Sequence, residues 1–246
     1  MSKKESTIFG VYPVLEAIKS EVVFDKVYVQ KDLSNPKVDS SLATLEKDGV
    51  TINYVPIEKL NRLTKGNHQG IVAITSPISF YSLESIVEKT LASKEDATFL
   101  ILDQISDVRN FGAILRTAEC TGVDAVIIQK KGGAPVSGDT VKTSAGAIFN
   151  IPICKVDHIK DAIFYMQASG ITTIAATEKA ENSIYHTDFK KPIAIIMGSE
   201  GKGVSKSVLN LIDEQASLPL LGEINSLNVS VACGAFLYEM VRQRSL

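Results

Sequence analysis

Three short runs constrain this chain more than anything else in it. Thr98–Asp103, Ile171–Ala176 and Pro192–Met197 are almost wholly apolar, and each gives way to a polar or glycine-bearing loop. A strand that is apolar on both faces has to be covered on both faces, which is the habit of parallel sheets flanked by helices. Helical periodicity lies between the runs. Phe111, Ile114, Leu115 and Ala118 form one stripe over Phe111–Thr121, with Asn110 as its expected N-cap and Gly122 as its stop, and Lys160–Ser169 is a second helix. Strands at Val123–Gln129 and Ile151–Val156 and a short helix at Asp139–Ala147 complete an α/β pattern over residues 97–246.

The first third alternates on a smaller scale. Val11–Ser20, Ser40–Asp48 and a segment from Pro56 to Lys65-Gly66 are predicted helices, with Gly49 a C-cap. Lys26–Gln30, Thr51–Val55 and Gly70–Thr75 are predicted strands. Residues 1–76 therefore form a small α/β domain. Residues 77–96 are expected to link it to the second domain through a helix, Ser82–Ser93. The polar turn Gly66-Asn67-His68-Gln69-Gly70 is either a connection or a candidate binding loop.

Composition narrows the function. With 26 basic and 28 acidic residues the net charge is −2, so the chain does not coat nucleic acid indiscriminately. Basic residues do cluster locally, at Lys3-Lys4, Lys130-Lys131, Lys190-Lys191, Lys202 with Lys206, and Arg242 with Arg244. Cys120, Cys154 and Cys233 form no CxxC, and His68, His158 and His186 are scattered, so neither a disulfide framework nor a metal site is expected. Met1–Gly10 lacks the apolar core of a signal peptide, and no apolar run has membrane-spanning length. The expectation is a cytoplasmic protein with no membrane partner.

In an open α/β sheet a ligand binds beyond the C-terminal strand ends. Three loops qualify: Gln104–Asn110, Gly198–Ser205 and the turn before Ser226. Gly198, Gly201 and Gly203 permit close backbone approach to a ligand. Yet the spacing fits neither a phosphate-binding P-loop, nor a dinucleotide fingerprint, nor a nucleophile elbow. Leu218-Pro219 leads through Gly222 to a proline-free segment, Ser226–Arg244. Leu227, Val229 and Val231 alternate there as in a strand, but the length favours a helix capped by Asn225 or Ser226. Arg116, Glu200, Ser226 and Asn228 are the polar groups left near the strand ends. One cation, one anion, an amide and a hydroxyl suit substrate orientation and charge stabilisation.

Asn110-Phe111-Gly112-Ala113-Ile114-Leu115-Arg116-Thr117-Ala118 resembles motif one of the SpoU (TrmH-like) RNA ribose methyltransferases. Ile196-Met197-Gly198-Ser199-Glu200-Gly201-Lys202-Gly203 resembles motif two, and Leu218-Pro219 through Ser226-Leu227-Asn228-Val229-Ser230-Val231-Ala232 resembles motif three. Phe9-Gly10, Leu15-Glu16-Ala17 and His68-Gln69-Gly70 are similar to the family's RNA-binding substrate domain. Tyr12 stands where many relatives carry histidine, and Glu119-Cys120-Thr121-Gly122 replaces a more usual aromatic before the glycine. The resemblance implies a deep trefoil knot in residues 97–246, formed by loops Ala176–Glu181, Gly198–Gly203 and Leu218–Asn228. It implies S-adenosylmethionine as cofactor, held by Thr177, Gly198, Glu200, Gly203, Leu218, Leu227, Asn228 and Val231. It also implies catalytic or substrate-facing roles for Arg116, Asn110, Glu200, Ser226 and Asn228, and a homodimer. The guanidinium of Arg116 suits a phosphate or an incipient alkoxide better than it suits proton abstraction. The implied reaction is methylation of a ribose 2′-hydroxyl in structured RNA, ribosomal RNA (a 23S guanosine) ahead of transfer RNA. A non-catalytic RNA-binding protein of the same fold is the reading from another class.

Overall fold

The structure, a computed structural model, describes residues 7–33, 35–47 and 50–245. Lys3-Lys4, Gly49 and the final residue of the helix expected over Ser40–Asp48 lie outside them. The chain forms two compact units, Met1–Ser79 with Pro135–Gly138, and Phe80–Ala134 with Asp139–Leu246.

The first unit runs β1 (Thr7–Phe9), α1 (Val11–Lys19), β2 (Phe24–Gln30), α2 (Pro36–Lys47), β3 (Thr51–Val55), α3 (Ile57–Leu63) and β4 (Ile71–Thr75). Its four-stranded sheet has the order β1-β4-β2-β3, with β4 antiparallel to both neighbours and β2 parallel to β3. Val14 and Leu42 of the helices meet Val27, Val29 and Ala73 of the sheet in the core. Strand β1 was not foreseen, because three residues are too few to show a period; pairing with β4 makes it a strand. The turn Gly66–Gly70 is structural. Its His68 is buried, with Nδ1 accepting from the Gly70 N–H at 3.0 Å and Nε2 3.0 Å from Asn61 Oδ1. Gln69 Oε1 accepts the Val11 N–H at 3.0 Å, supplying the cap that Gly10 cannot give α1.

The second unit begins with α4 (Leu83–Ser93), capped by Ser82. Leu83 and Val87 are buried in this unit's core, so most of the stretch expected as a link packs here as a working helix. There follow β5 (Thr98–Asp103), α5 (Val108–Cys120), β6 (Ala125–Gln129), α6 (Gly138–Thr143), a 3₁₀ turn at Ala147–Phe149, β7 (Ile153–Val156), α7 (Ile159–Ala168) and β8 (Thr172–Ala176). A second 3₁₀ turn at Ile184–His186, β9 (Ile193–Gly198), α8 (Lys206–Leu209), β10 (Glu214–Ala216) and α9 (Val229–Arg244) complete it. The six-stranded sheet is parallel throughout, in the order β10-β8-β9-β5-β6-β7. β5 and β9 lie at its centre and every one of their residues is buried, as the apolar runs demand. The last pair in their register sets Asp103 beside Gly198 at the C-terminal edge.

Helix α2 begins at Pro36, four residues before the expected Ser40, and two further helix starts differ from expectation for reasons of hydrogen bonding. Asp107, not Asn110, caps α5: its carboxylate accepts the N–H groups of Arg109 at 2.8 Å and Asn110 at 2.9 Å. Asn110 thus falls inside the first turn with its own side chain free for other work. Likewise α9 starts at Val229, capped by Asn228, whose Oδ1 accepts from Ser230 N at 2.9 Å and Ser230 Oγ at 2.6 Å. Leu227 therefore precedes the helix. The apparent alternation is an irregular segment running into a stripe of Val229, Cys233, Phe236, Leu237 and Met240. Helix α9 packs along α5, where Gly234 meets Thr117.

Candidate active site

The C-terminal ends of β8, β9 and β10 open onto a cavity of about 620 Å³. Its wall nearest the sheet is the loop Gly198–Gly203, folded back on itself: Gly203 N donates to Ser199 O at 2.8 Å, and Ser199 N to Gly203 O at 3.1 Å. This narrow closure requires glycine. A Cβ on Gly198 would overlap the carbonyl carbon of Gly203 and the nitrogen of Val204, while Gly201 and Gly203 have φ of 82° and 66°. Beyond the loop, Ser205 N donates to the buried Asp103 carboxylate at 2.8 Å, tying the loop's end to β5. The facing wall comes from the segment after β10 and the start of α9, and the cavity is closed inside by Ala232 and Phe236.

Three side chains remote in sequence meet beside this cavity. Asn110 Nδ2 donates to Glu200 Oε2 at 3.0 Å, Asn228 Nδ2 donates to Glu200 Oε1 at 3.1 Å, and Asn228 Nδ2 also lies 3.0 Å from Asn110 Oδ1, which accepts. One carboxylate is thus fixed by two amides, one from the first turn of α5 and one from the cap of α9. Asn228 is itself fixed by Ser230. Carboxylate oxygens accept more than one hydrogen bond each, so Glu200 keeps acceptor capacity for a ligand hydroxyl. Glu200, Ser226 and Asn228 are exposed and Asn110 is half-buried, so a macromolecular substrate can reach all of them.

The other residues singled out from the sequence divide. Thr177, Gly198, Glu200, Gly203, Leu218, Leu227, Asn228 and Ser226 line the cavity. Val231 does not; it is 57% exposed, and Val229 and Ala232 take the inner side of the helix start instead. Arg116 lies on α5 two turns beyond Asn110, exposed, with no hydrogen bond or ion pair to another described residue and no part in the cavity wall. Phe236, two turns into α9, was missed because it reads as one more core aromatic. Lys179, which also lines the cavity, was missed because one lysine in a polar loop carries no signal. Among the described residues no group of three or more His, Cys, Asp or Glu could hold a metal, and no helix is long and apolar enough to cross a membrane.

A parallel α/β unit with a glycine-walled cavity beyond its strand ends, and a fixed carboxylate at the rim, is a ligand-binding α/β domain in architecture. Comparison with known proteins makes this specific. The SpoU rRNA Methylase family matches residues 97–238, and the domain described as RNA 2'-O ribose methyltransferase substrate binding matches residues 7–81. A putative TrmH family tRNA/rRNA methyltransferase, YacO of Bacillus subtilis (strain 168), is 31% identical over 245 residues, covering 100% of this chain and 98% of that protein. A putative TrmH family tRNA/rRNA methyltransferase of Staphylococcus saprophyticus is 34% identical over 247 residues, covering 98% and 97%. Among solved structures, the AdoMet-bound rRNA methyltransferase from Sinorhizobium meliloti superposes with a TM-score of 0.63 at 25% identity, over 97% of this chain and 87% of that one. The SpoU methyltransferase AviRb from Streptomyces viridochromogenes, in complex with AdoMet, gives 0.62 over 97% and 90%; at 24% identity that likeness is one of fold. The chain belongs to the SpoU rRNA methylase family, the TrmH-like RNA methyltransferases.

Proposed function

We propose that this protein transfers a methyl group from S-adenosylmethionine to a ribose 2′-hydroxyl of structured RNA, with ribosomal RNA as its substrate. The observation that carries the reading is the junction of Asn110, Glu200 and Asn228 beside the glycine-walled cavity. These residues come from the three motif segments, remote in sequence, and their hydrogen bonds gather one carboxylate and two amides at the cavity's rim. The cavity fits the cofactor: glycine backbone that no Cβ could replace forms one side, and Leu218, Leu227 and Phe236 give apolar surface for an adenine ring. Thr177, Gly203 and the backbones of Gly198, Leu218 and Leu227 would hold it. When bound, S-adenosylmethionine supplies a methyl group already activated on a sulfonium.

The chain's own contribution is then placement. Glu200, with both oxygens held by amides, accepts the ribose hydroxyl and aligns its oxygen toward the cavity, and fixed geometry of this kind lowers the barrier by orientation. Asn110 and Ser226 supply further hydrogen bonds to the nucleotide. Arg116, outside the cavity wall, binds an RNA phosphate or the developing negative charge. A homodimer accommodates its position, since a second copy can bring Arg116 to the site that its own chain leaves open. The same reading includes a knotted C-terminal path. Its support is topological: β9 returns to the sheet centre beside β5, β10 pairs at the far edge beside β8, and α9 comes back to pack on α5.

The preference for ribosomal RNA draws on the first unit, which matches the substrate-binding domain across β1 to β4. Incubation with labelled S-adenosylmethionine and either ribosomal or transfer RNA, followed by mapping of 2′-O-methylated nucleosides, tests the reading. Label in ribosomal RNA ribose is the expected result; label on a base, or in transfer RNA alone, overturns it in that respect.

A further inference from the structure

We propose that Arg109, Lys131 and Lys142 form a phosphate clamp that positions the RNA strand beside the ribose at Glu200. This deepens the reading above and rests on RNA being the substrate; the geometry adds which side chains grip the strand. The three come from separate places: the first turn of α5, the glycine-bearing loop after β6, and the last turn of α6. Two contacts gather them. Thr143 Oγ1 donates to Val108 O at 3.1 Å, and Gly112 lies so close that a Cβ there would overlap the Thr143 hydroxyl, which locks α6 onto the start of α5. Lys142 and Arg109 each adjoin one partner of that hydrogen bond. Ala134 N donates to Ile105 O at 2.7 Å, which draws the loop carrying Lys131 against the segment leading into α5. Arg109 also adjoins Asn110, whose amide holds Glu200, so the cations border the junction of Asn110, Glu200 and Asn228.

The charges decide what the clamp takes. All three side chains are exposed, and none makes a hydrogen bond or ion pair to another described residue. Their neighbours are already committed: Lys130 pairs with Asp157 at 2.8 Å, and the Asp107 carboxylate accepts the N–H groups that open α5. Asp139, in the first turn of α6, makes no ion pair with Lys142. A cation in the first turn lies at the positive end of the helix dipole, so Arg109 contributes nothing to α5 from there. Gathered cations repel one another until an anion joins them. A phosphodiester meets that need, with the planar fork of Arg109 suited to two phosphate oxygens and the lysines acting as point charges. Such contacts fix the register of a strand without reading its sequence. They also fit a chain of net charge −2, in which cations act by placement rather than by number. Arg116, two turns further along α5, is a separate contact.

The test is the salt dependence of binding between the full-length protein and a fluorescein-labelled oligouridine strand, read by anisotropy, with S-adenosylmethionine calorimetry in parallel. Arg109→Gln, Lys131→Gln and Lys142→Gln are each expected to flatten the slope of log K against log salt by about 0.7, and the triple variant by about 2, one contact's worth apiece on a single strand. Arg109→Lys keeps the charge and should keep the slope. Lys190→Gln should leave it unchanged, because that residue precedes β9 at the opposite edge of the sheet from the cavity. Cofactor affinity should stay at the wild-type value throughout. A triple variant with the wild-type slope, or equal flattening by Lys190→Gln, overturns the clamp. So does an Arg109→Lys slope as flat as that of Arg109→Gln, which would mean a role in folding rather than in charge. Parallel loss of S-adenosylmethionine affinity overturns it too, by placing these residues in support of the cofactor cavity. Should the triple variant fail to fold, Arg109→Gln alone decides by the same slope. Wild-type protein that shows this slope pattern yet methylates no RNA would sink the function proposed above and leave the clamp standing.

Discussion

The two walls of the cavity beyond β8, β9 and β10 are built on opposite principles. The glycine loop Gly198–Gly203 is closed by a reciprocal backbone pair, anchored at its exit by Asp103, and so tight at Gly198 that no side chain fits. The facing segment, residues 218–227, makes no hydrogen bond to another described residue, and Leu221 and Ile224 are 100% and 79% exposed. One wall is therefore pre-formed and the other is held only at its ends, by β10 before it and by the Asn228 cap after it. A site of this kind can present a rigid face to a ligand and still admit and release it by moving the other face.

That contrast can be broken at several points. The largest effect is expected from Gly198→Ala. The added Cβ collides with backbone rather than with a flexible side chain, so the loop must open; overpacking of this kind costs about 1–3 kcal/mol or more. Calorimetry should show S-adenosylmethionine affinity down by at least about 100-fold, roughly what 3 kcal/mol removes, and retention of wild-type affinity would mean that the loop is not the cofactor's cradle. Next comes Glu200→Gln. Its amide cannot accept at both positions, so the junction with Asn110 and Asn228 is lost. The methylation rate should fall by about 10²-fold, as for removal of one oriented polar group at a reacting centre, with cofactor affinity little changed. An equal loss in both readouts would place Glu200 with the cofactor alone.

Arg116→Lys stands outside both walls. Loss of the planar fork should weaken RNA methylation by about tenfold, one charge-assisted hydrogen bond's worth, and leave S-adenosylmethionine binding untouched; full methylation with normal RNA affinity would remove Arg116 from the mechanism. Hydrogen exchange sharpens the comparison without mutation. Amides of residues 218–227 should exchange fast in the free protein, those of β9 and Gly203 slowly, and saturating S-adenosylmethionine should slow the first set selectively. Uniform protection in both states would contradict a two-principle site.

How much of this was legible in advance varies with the physics behind each element. β5 was readable to the residue, because burial on both faces leaves an unbroken apolar run, and β3 was readable from its flanking turn signals. β1 and β10 were not. Each has three residues, and Glu214-Gln215-Ala216 is a strand only because β8 offers it a partner. The caps of α5 and α9 were displaced because several polar residues compete at each start, and only the backbone decides that Asp107 and Asn228 win. The motif residues of the site could be picked out one by one, but not their junction: Asn110 and Asn228 are 118 positions apart and bond in space. Arg116 was readable as a candidate, and a single chain does not bring it to the cavity.

The smallest effect expected concerns the outer end of the second wall's support. Asp213, at the start of β10, is buried enough to raise its pKa. Hydrogen bonds from the Thr173 N–H and hydroxyl and from Gln167, with the charge of Lys191, outweigh that, so it sits below the usual carboxylate value. A depressed carboxylate pKa contributes stability above its unfolded value, about 3.9, and that contribution is lost as pH falls through the lower folded value. Thermal unfolding should therefore show a modest acid-side loss below about pH 4 that Asp213→Asn flattens; the group is largely exposed, so solvent screening keeps the shift to a few degrees at most. An identical pH profile in the variant would remove Asp213 from the β8–β10 junction.

The central claim is that the glycine-walled cavity holds S-adenosylmethionine and delivers its methyl group to an RNA ribose. Its most direct test is a single-turnover reaction of the protein with methyl-labelled S-adenosylmethionine and ribosomal RNA, digested to nucleosides and resolved by mass spectrometry. Label on a 2′-O-methylated nucleoside, absent with Glu200→Gln on the same timescale, is the predicted result. Label on a base, or undiminished ribose labelling by the Glu200→Gln protein, would contradict it.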